Sequence, residues 1–505
     1  MTKKIDLSKF QEFLKTIASE KSINALRSFF MGRWYPIWIA FSVLIGRFTC
    51  AEIYFAMLDL VIVSIALLVC DSIRPVLLNL ITLIYRIPIE HGPGSPYHSD
   101  YYVTNPGMIA LIAFFALAIA ALVCFYVKNK SFAGFNPIKN KYFIPFLAFS
   151  VTFFTAGMFS GNRQGKDLII SLLEFVAFFV VFYLLYIGLR RESFDKLLDY
   201  FVYIAAVCSV ILMFELLDVF LRSDSIIING SINKGSVTFG WGISNNMANS
   251  LSMLIPLLIL GAMRALRKRI AVVYLCLASL TLLATVITLG RASVLVGGVG
   301  YIVALAIACF SGNHKKMCRI AALVVAVGVL AVLVLFYDKI MTIFNSFVVN
   351  GFNDNGRYGF WRYFYNAFKE APVFGNGFYH FYYGYQHTTF APTFAHNTIM
   401  QLLGSMGVVG LVSFLVYRAF TFIPFFKKFT LTKLFLFGSC AVLIFESWID
   451  NFIFLITPTF VYNVCIILAV MHCEQTKSEE RNDEGSRDDT VGDHVENSSL
   501  IEENI

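Results

Sequence analysis

Hydrophobic positions in this chain come in long blocks, each closed by a short polar or basic stretch. The blocks lie near residues 34–49, 53–70, 73–88, 107–127, 142–160, 167–189, 197–221, 246–263, 270–289, 292–310, 318–336, 396–417, 433–449 and 452–471. Most approach the roughly 20 residues that a helix needs to cross the hydrocarbon layer. The pattern predicts an all-α fold, a polytopic membrane helical bundle of about fourteen transmembrane helices. The first and third blocks are short, and a re-entrant segment stays open at both. Ahead of them, Leu7, Phe10, Phe13, Leu14 and Ile17 recur at helical spacing, with Lys3, Lys4, Lys9 and Lys15 between. This predicts an amphipathic cytoplasmic segment over 1–33, lying in the membrane plane. A short soluble cap is the alternative.

Charge sets the orientation. Five connecting stretches are basic: 128–141, 190–196, 264–269, 315–319 and 418–433. With the N-terminus inside, about fourteen crossings bring all five to the cytoplasmic side, as the positive-inside rule requires. The first span then serves as an uncleaved insertion signal. Residues 473–505 hold eleven acidic and three basic side chains and few apolar ones. They are expected to form a disordered cytoplasmic tail. The transmembrane domain is thus expected over 34–472, with both termini cytoplasmic.

Composition narrows the class further. The chain has 505 residues, 58% hydrophobic and 14% charged, and a mean hydropathy of +0.71. A soluble domain carries about 25% charged residues. The formal charge of +8 sits in short connections between apolar blocks, which marks topology and argues against nucleic acid. Ten cysteines fall mostly in or beside apolar blocks, without a CxxC pair. They read as small hydrophobes, not as disulfides or metal ligands.

Two stretches on the non-cytoplasmic side exceed what a connection needs: 87–106, with HGPGSPYHSDYY at 91–102, and the large loop 337–395. In the second, Trp361, Phe364, Tyr365 and Phe368 form the stripe of a short amphipathic helix, opened by Asn355-Gly356-Arg357. The helix should stop at Ala371, before Pro372, and Gly375-Asn376-Gly377 should turn. The loop ends in His396-Asn397 at the N-terminus of the next helix, where backbone N–H groups favour an anion. Gly290-Arg291-Ala292-Ser293 is a tight connection on the same side. Arginine suits phosphate oxygens, and histidine is the usual base near neutral pH. Structural readings stand beside these: Arg291 snorkelling to the interface, and His396 as an interface histidine. The outer loops hold no DxD, HExxH, P-loop or GxSxG motif.

These pieces, in this order, resemble the O-antigen ligase and O-antigen polymerase superfamily of bacterial membrane glycosyltransferases. The resemblance covers roughly 235–450: Gly240-Trp241-Gly242-Ile243-Ser244-Asn245-Asn246, then Gly290-Arg291-Ala292-Ser293, Asn355-Gly356-Arg357 with Trp361, Pro372, Gly375-Asn376-Gly377, and His396-Asn397 followed by Gly404 and Gly407. It implies a multi-pass protein of the bacterial cytoplasmic (inner) membrane with an extracytoplasmic active site. The implied reaction moves a saccharide from an undecaprenyl-diphosphate carrier to an acceptor hydroxyl, with inversion, needing no metal and no nucleotide cofactor. Implied catalytic residues are Arg291, Arg357 and His396; Asn397, Trp361 and Asp450 are expected at the substrate. Implied partners are a lipid-linked donor, a saccharide, lipid-glycan or protein acceptor, membrane lipids and polysaccharide-assembly proteins. The resemblance does not separate ligase from polymerase. Two other readings stay open: a transporter or flippase of polysaccharide precursors, to which Glu174 would be relevant, and a non-catalytic scaffold of an assembly complex.

Overall fold

A computed structural model of the chain describes residues 19–86, 105–137, 140–161, 163, 165–222, 227–228, 231–232, 234–239, 241–338, 341, 357–378, 395–455 and 457–476. The amphipathic stripe of residues 7–17, the 91–102 stretch, much of the 337–395 loop and the acidic tail beyond 476 lie outside the described residues.

The described residues are almost entirely helical. In chain order the helices are α1 (Glu20–Met31), α2 (Trp34–Phe48), α3 (Glu52–Val69), α4 (Val76–Leu83), α5 (Asn105–Lys128) and α6 (Phe143–Thr155). Next come α7 (Gly165–Phe175), joined by a π turn at Val176–Val180 to α8 (Val181–Leu189), and α9 (Phe194–Arg222). The second half holds α10 (Ser244–Arg264), α11 (Lys268–Ile287), α12 (Arg291–Phe310), α13 (Lys315–Leu335), α14 (Arg357–Glu370), α15 (Thr398–Phe426), α16 (Leu431–Ser447) and α17 (Thr457–Thr476). A two-residue antiparallel ribbon, Ile227–Ile228 with Ser231–Ile232, is the exception.

Every apolar block is helical, but the expected fourteen spans are not all reached. Among the described residues, ten helices are long and apolar enough to cross a membrane, or eleven if α1 and α2, bent by 70°, count together. The shortfall has a plain cause. α4 and α6 are only 8 and 13 residues long, because residues outside these helices lengthened their apolar blocks, and α16, as long as its block at 17 residues, is itself short for a crossing. α17 also runs past Cys473 to Thr476, where Tyr186 Oη donates to Glu474 Oε1 at 2.8 Å.

α10 is the central column, buried along nearly its whole length and packed by α9, α11, α12 and α16. Its sequence explains the position. Ala248 and Ser252, one turn apart, form a small-residue face, and Gly290 and Gly297 close on it without room for a Cβ. In lipid, where no water drives helices together, such close backbone contact is the main source of association. α13 is the opposite case: its surface is almost wholly exposed and it packs at the edge of the bundle.

The long loop is tied to the bundle through a break in α15. Gly407 has φ +65°, and the bonds that Val408 and Val409 would give to Gly404 and Ser405 are missing. Residues 372–377 fill the gap as a strap. Val408 N donates to Pro372 O (2.9 Å) and Val409 N to Val373 O (3.2 Å). Gly404 O accepts from Asn376 N (3.0 Å) and Ser405 O from Gly377 N (2.9 Å). All four interrupted groups are therefore satisfied, as backbone buried in a membrane protein must be. A Cβ at Gly407 would collide with Val373 O, and one at Gly375 with the Ser405 carbonyl.

Candidate functional site

Four helices begin at one place. α10 starts at Ser244, α12 at Arg291, α14 at Arg357 and α15 at Thr398. Side chains of the α16–α17 connection draw them together. Asn245 Nδ2 at the head of α10 reaches Asp450 Oδ2 at 3.4 Å, and His396, before α15, places Nδ1 2.8 Å from Asp450 Oδ1. The start of α12 is held from below. Ser293 Oγ donates to Glu446 Oε2 at 2.5 Å, and the same buried carboxyl accepts from Asn249 Nδ2 (2.8 Å) and Ser252 Oγ (2.7 Å). Each helix N-terminus carries roughly half a positive charge.

The local backbone is strained where it presents the two central side chains. His396 has φ +49°, and Leu289, two residues before Arg291, has φ +57°. Non-glycine residues in this left-handed region cost about 1–3 kcal/mol and gather at functional sites. Asn397 follows as the cap of α15: its Oδ1 accepts from Ile399 N (3.0 Å) and Met400 N (3.1 Å), and its Nδ2 donates to Trp448 O (2.9 Å). Its amide is thus taken up by the fold. Trp361 Nε1 donates to Ala395 O at 3.0 Å, clamping α14 to the end of the loop. The Phe360 ring lies 6.0 Å from the His396 ring.

α14 forms where the aromatic spacing predicts it, ending at Glu370 before Ala371-Pro372. Its inward face differs from the expected stripe. Phe364 and Ala367 are buried against α15 at Gly404, whereas Tyr365 is exposed. Arg362 and Asn366 lie on the exposed side.

Electrostatics show which charges share the site. Burial pushes the Lys234 ammonium below the ordinary lysine range, and the nearby Arg291 and Arg357 charges push it further against the pull of Asp450. Burial would raise the Asp450 carboxyl. The hydrogen bond and charge of His396, the Asn451 N–H (2.9 Å) and the charge of Arg357 outweigh it and hold the carboxyl below its usual range. Asp450 is therefore a carboxylate at neutral pH and can only accept, so Nδ1 of His396 carries the proton in their shared bond. That leaves Nε2 of a neutral His396 with its lone pair, the form a general base needs. Asp450 and His396 also differ in access, with side chains 14% and 36% exposed.

The structure thus brings Arg291, Arg357, His396 and Asp450 into one neighbourhood, with Trp361 and Asn397 bracing it. Sequence reasoning missed Lys234 and Glu446. Lys234 is the one basic residue in the 223–243 connection, and Glu446 is the one acid in the 433–449 apolar block; both signals were visible. Two residues of the connection before α10 are anchored in the bundle: Trp241 Nε1 donates to buried Glu215 at 2.7 Å, and Arg47, paired with Asp218 at 2.8 Å, donates to Phe239 O at 2.9 Å.

Arg291, Arg357, Trp361, His396 and Asn397 all fall within residues 276–415, which match the model of the family described as O-Antigen ligase. Lys234, Glu446 and Asp450 lie outside that match. No curated protein and no solved structure matches the chain. Ten apolar helices of spanning length among the described residues mark a multi-pass membrane protein, and residues 276–415 within it match an O-antigen ligase domain, a likeness that points to ligase- or polymerase-type glycosyl transfer.

Proposed function

We propose that this protein transfers an oligosaccharide or polysaccharide from an undecaprenyl-diphosphate carrier to an acceptor hydroxyl, at the outer face of a bacterial cytoplasmic membrane. The observation that carries the reading is the His396–Asp450 pair set beside Arg357 and Lys234. Nε2 of His396 takes the proton of the acceptor hydroxyl as its oxygen attacks the anomeric carbon. The bond to the carrier diphosphate breaks as the new bond forms, so configuration inverts. Arg291, Arg357, Lys234 and the converging helix N-termini stabilise the charge that develops on the departing diphosphate. That positive charge comes from the chain itself, which supports a reaction independent of a metal ion. Trp361 and Asn397 act by holding the loop end and His396 in place.

Proteoliposomes with a lipid-linked oligosaccharide test the proposal. A ladder of lengthened glycan marks a polymerase, and a single transfer to an added acceptor marks a ligase; both should persist in EDTA. Loss of activity on chelation with recovery on Mg²⁺ would overturn metal independence. Movement of the intact donor across the bilayer without transfer would replace the enzyme by a transporter. Orientation is read separately, by labelling Asn366→Cys, an exposed position on α14. Labelling only after permeabilisation would refute the outer-face assignment.

A further inference from the structure

A cavity of about 590 Å³ opens at the end of the bundle away from His396, between the α1–α2 elbow, the start of α9 and the end of α10. α10 links the two places: Asn245 stands at the site and Arg264 lines the cavity, about 28 Å apart along a helix at 1.5 Å per residue. That is close to the roughly 30 Å thickness of the hydrocarbon layer, so the cavity sits at the opposite interface.

Its polar lining is basic. Arg33, Arg74, Lys196 and Arg264 face it, with Asp199 as the acid among its lining residues. Arg264 is already matched by Asp195 (3.0 Å) and Asp199 (2.8 Å). None of the ion pairs among the described residues takes Arg33, Arg74 or Lys196. Arg74 is held by the face of Tyr200, 5.0 Å away, and by the Met31 sulfur. The remaining wall is apolar, and it continues through Ile270, Val273 and Leu277 onto the outward surface of α11, where Val273 is 63% exposed. Three unmatched cations above a greasy wall that runs into the lipid-facing surface form an amphipathic receptacle. Basic pockets between helices at a membrane interface suit the headgroups of anionic lipids.

We infer that this cavity is a binding site for an anionic phospholipid of the leaflet opposite the reaction site. The phosphodiester lies among Arg33, Arg74 and Lys196, and an acyl chain runs along Ile270, Val273 and Leu277. A soluble phosphate would use the cations and leave the apolar wall idle. A zwitterionic lipid would bring its own cation against three others.

The test is native mass spectrometry of the full chain, released from mild detergent with phosphatidylglycerol or phosphatidylcholine added. Phosphatidylglycerol should stay bound in preference to phosphatidylcholine. R74Q/K196Q should weaken its retention about tenfold or more, since each lost charge-assisted hydrogen bond is worth roughly a factor of 10 to 150. R267Q, a nearby exposed cation outside the cavity, should leave retention unchanged. If R74Q/K196Q fails to fold, exposed R33Q and the cavity-filling L277W carry the same expectation. Equal binding of the two lipids, equal retention by wild type and the cavity variants, or displacement of the lipid by inorganic phosphate would each overturn the assignment.

Discussion

Asp450→Asn isolates the chemistry of the site from its shape. Asparagine keeps the size of the side chain but replaces an accepting oxygen with an amide that can also donate. In the native protein, Asp450 accepts from His396 Nδ1 at 2.8 Å, from Asn451 N at 2.9 Å and from Asn245 Nδ2 at 3.4 Å. Losing the charged acceptor costs about 1.5–3 kcal/mol, or about 10- to 150-fold in rate if it acts in the transition state. An amide that donates to Nδ1 would also move the histidine proton to Nε2. The proton acceptor then faces the wrong way, and the full general-base contribution of about 10²- to 10⁴-fold is at risk. The expected outcome is therefore a fall of 10² or more in kcat with little change in KM for the lipid-linked donor, measured in proteoliposomes at matched protein. His396→Ala should fall as far, and the double variant no further, because both changes remove one unit. Sign matters for pH. The Asp450 carboxyl is depressed in the fold, so its contribution to stability is complete above about pH 4–5 and is lost only as pH drops below the ordinary carboxylate range. Retention of activity within threefold in D450N, alongside a dead H396A, would refute the tautomer argument.

Three further outcomes follow from the same geometry. Arg291→Lys and Arg357→Lys should lose most transfer activity, because a point charge cannot bind an oxyanion bidentately, whereas Arg362→Lys on the exposed side of α14 should be tolerated; equal loss at all three would mean that the loop needs only positive charge. Glu446→Gln puts a donor where Ser293, Asn249 and Ser252 already donate, and should lower stability by about 1–3 kcal/mol, read as a drop in Tm, with weaker donor binding as α12 shifts. Gly407→Ala must force a Cβ against Val373 O at positive φ, and should reduce yield of folded protein by size-exclusion chromatography; a normal elution profile and Tm would show that the strap tolerates displacement.

Much of this was legible in the sequence, and the reasons differ by feature. The blocks gave helices because an apolar run in lipid has no other way to satisfy its backbone. α14 was legible because Trp361, Phe364 and Phe368 recur at 3.6-residue spacing and Pro372 ends the run. The number of spans was less so: hydropathy cannot tell eight helical residues followed by a 3-10 turn, as at Val76–Arg86, from a full crossing. Arg291, Arg357, His396 and Asp450 were named from motif and position, but their meeting depends on four helices folding toward Asp450 from different parts of the chain. Lys234 escaped because a single basic residue in a connection gains meaning only from Arg291, Arg357 and Asp450, none of them near it in sequence. Glu446 escaped because a carboxyl in an apolar run gains meaning only from Ser293, Asn249 and Ser252, none of them near it in sequence. The stripe on α14 was misassigned by one residue's turn: Ala367, too small to count as a signal, is inward, and Tyr365 is outward.

The strap through the α15 break has a consequence for how the protein is made. Gly404, Ser405, Val408 and Val409 leave four backbone groups that only residues 372–377 satisfy. Inserted alone, α15 would carry these groups into the bilayer at a cost of several kcal/mol each, or close them into a straight helix of the wrong register. The strap precedes α15 in the chain, so during synthesis it has already emerged when α15 arrives. Biogenesis thus has an order: the loop must be delivered first, and the incoming helix bends around it. A strap deletion should then appear as a defect of insertion or of turnover by membrane proteases, before any sugar chemistry is at stake.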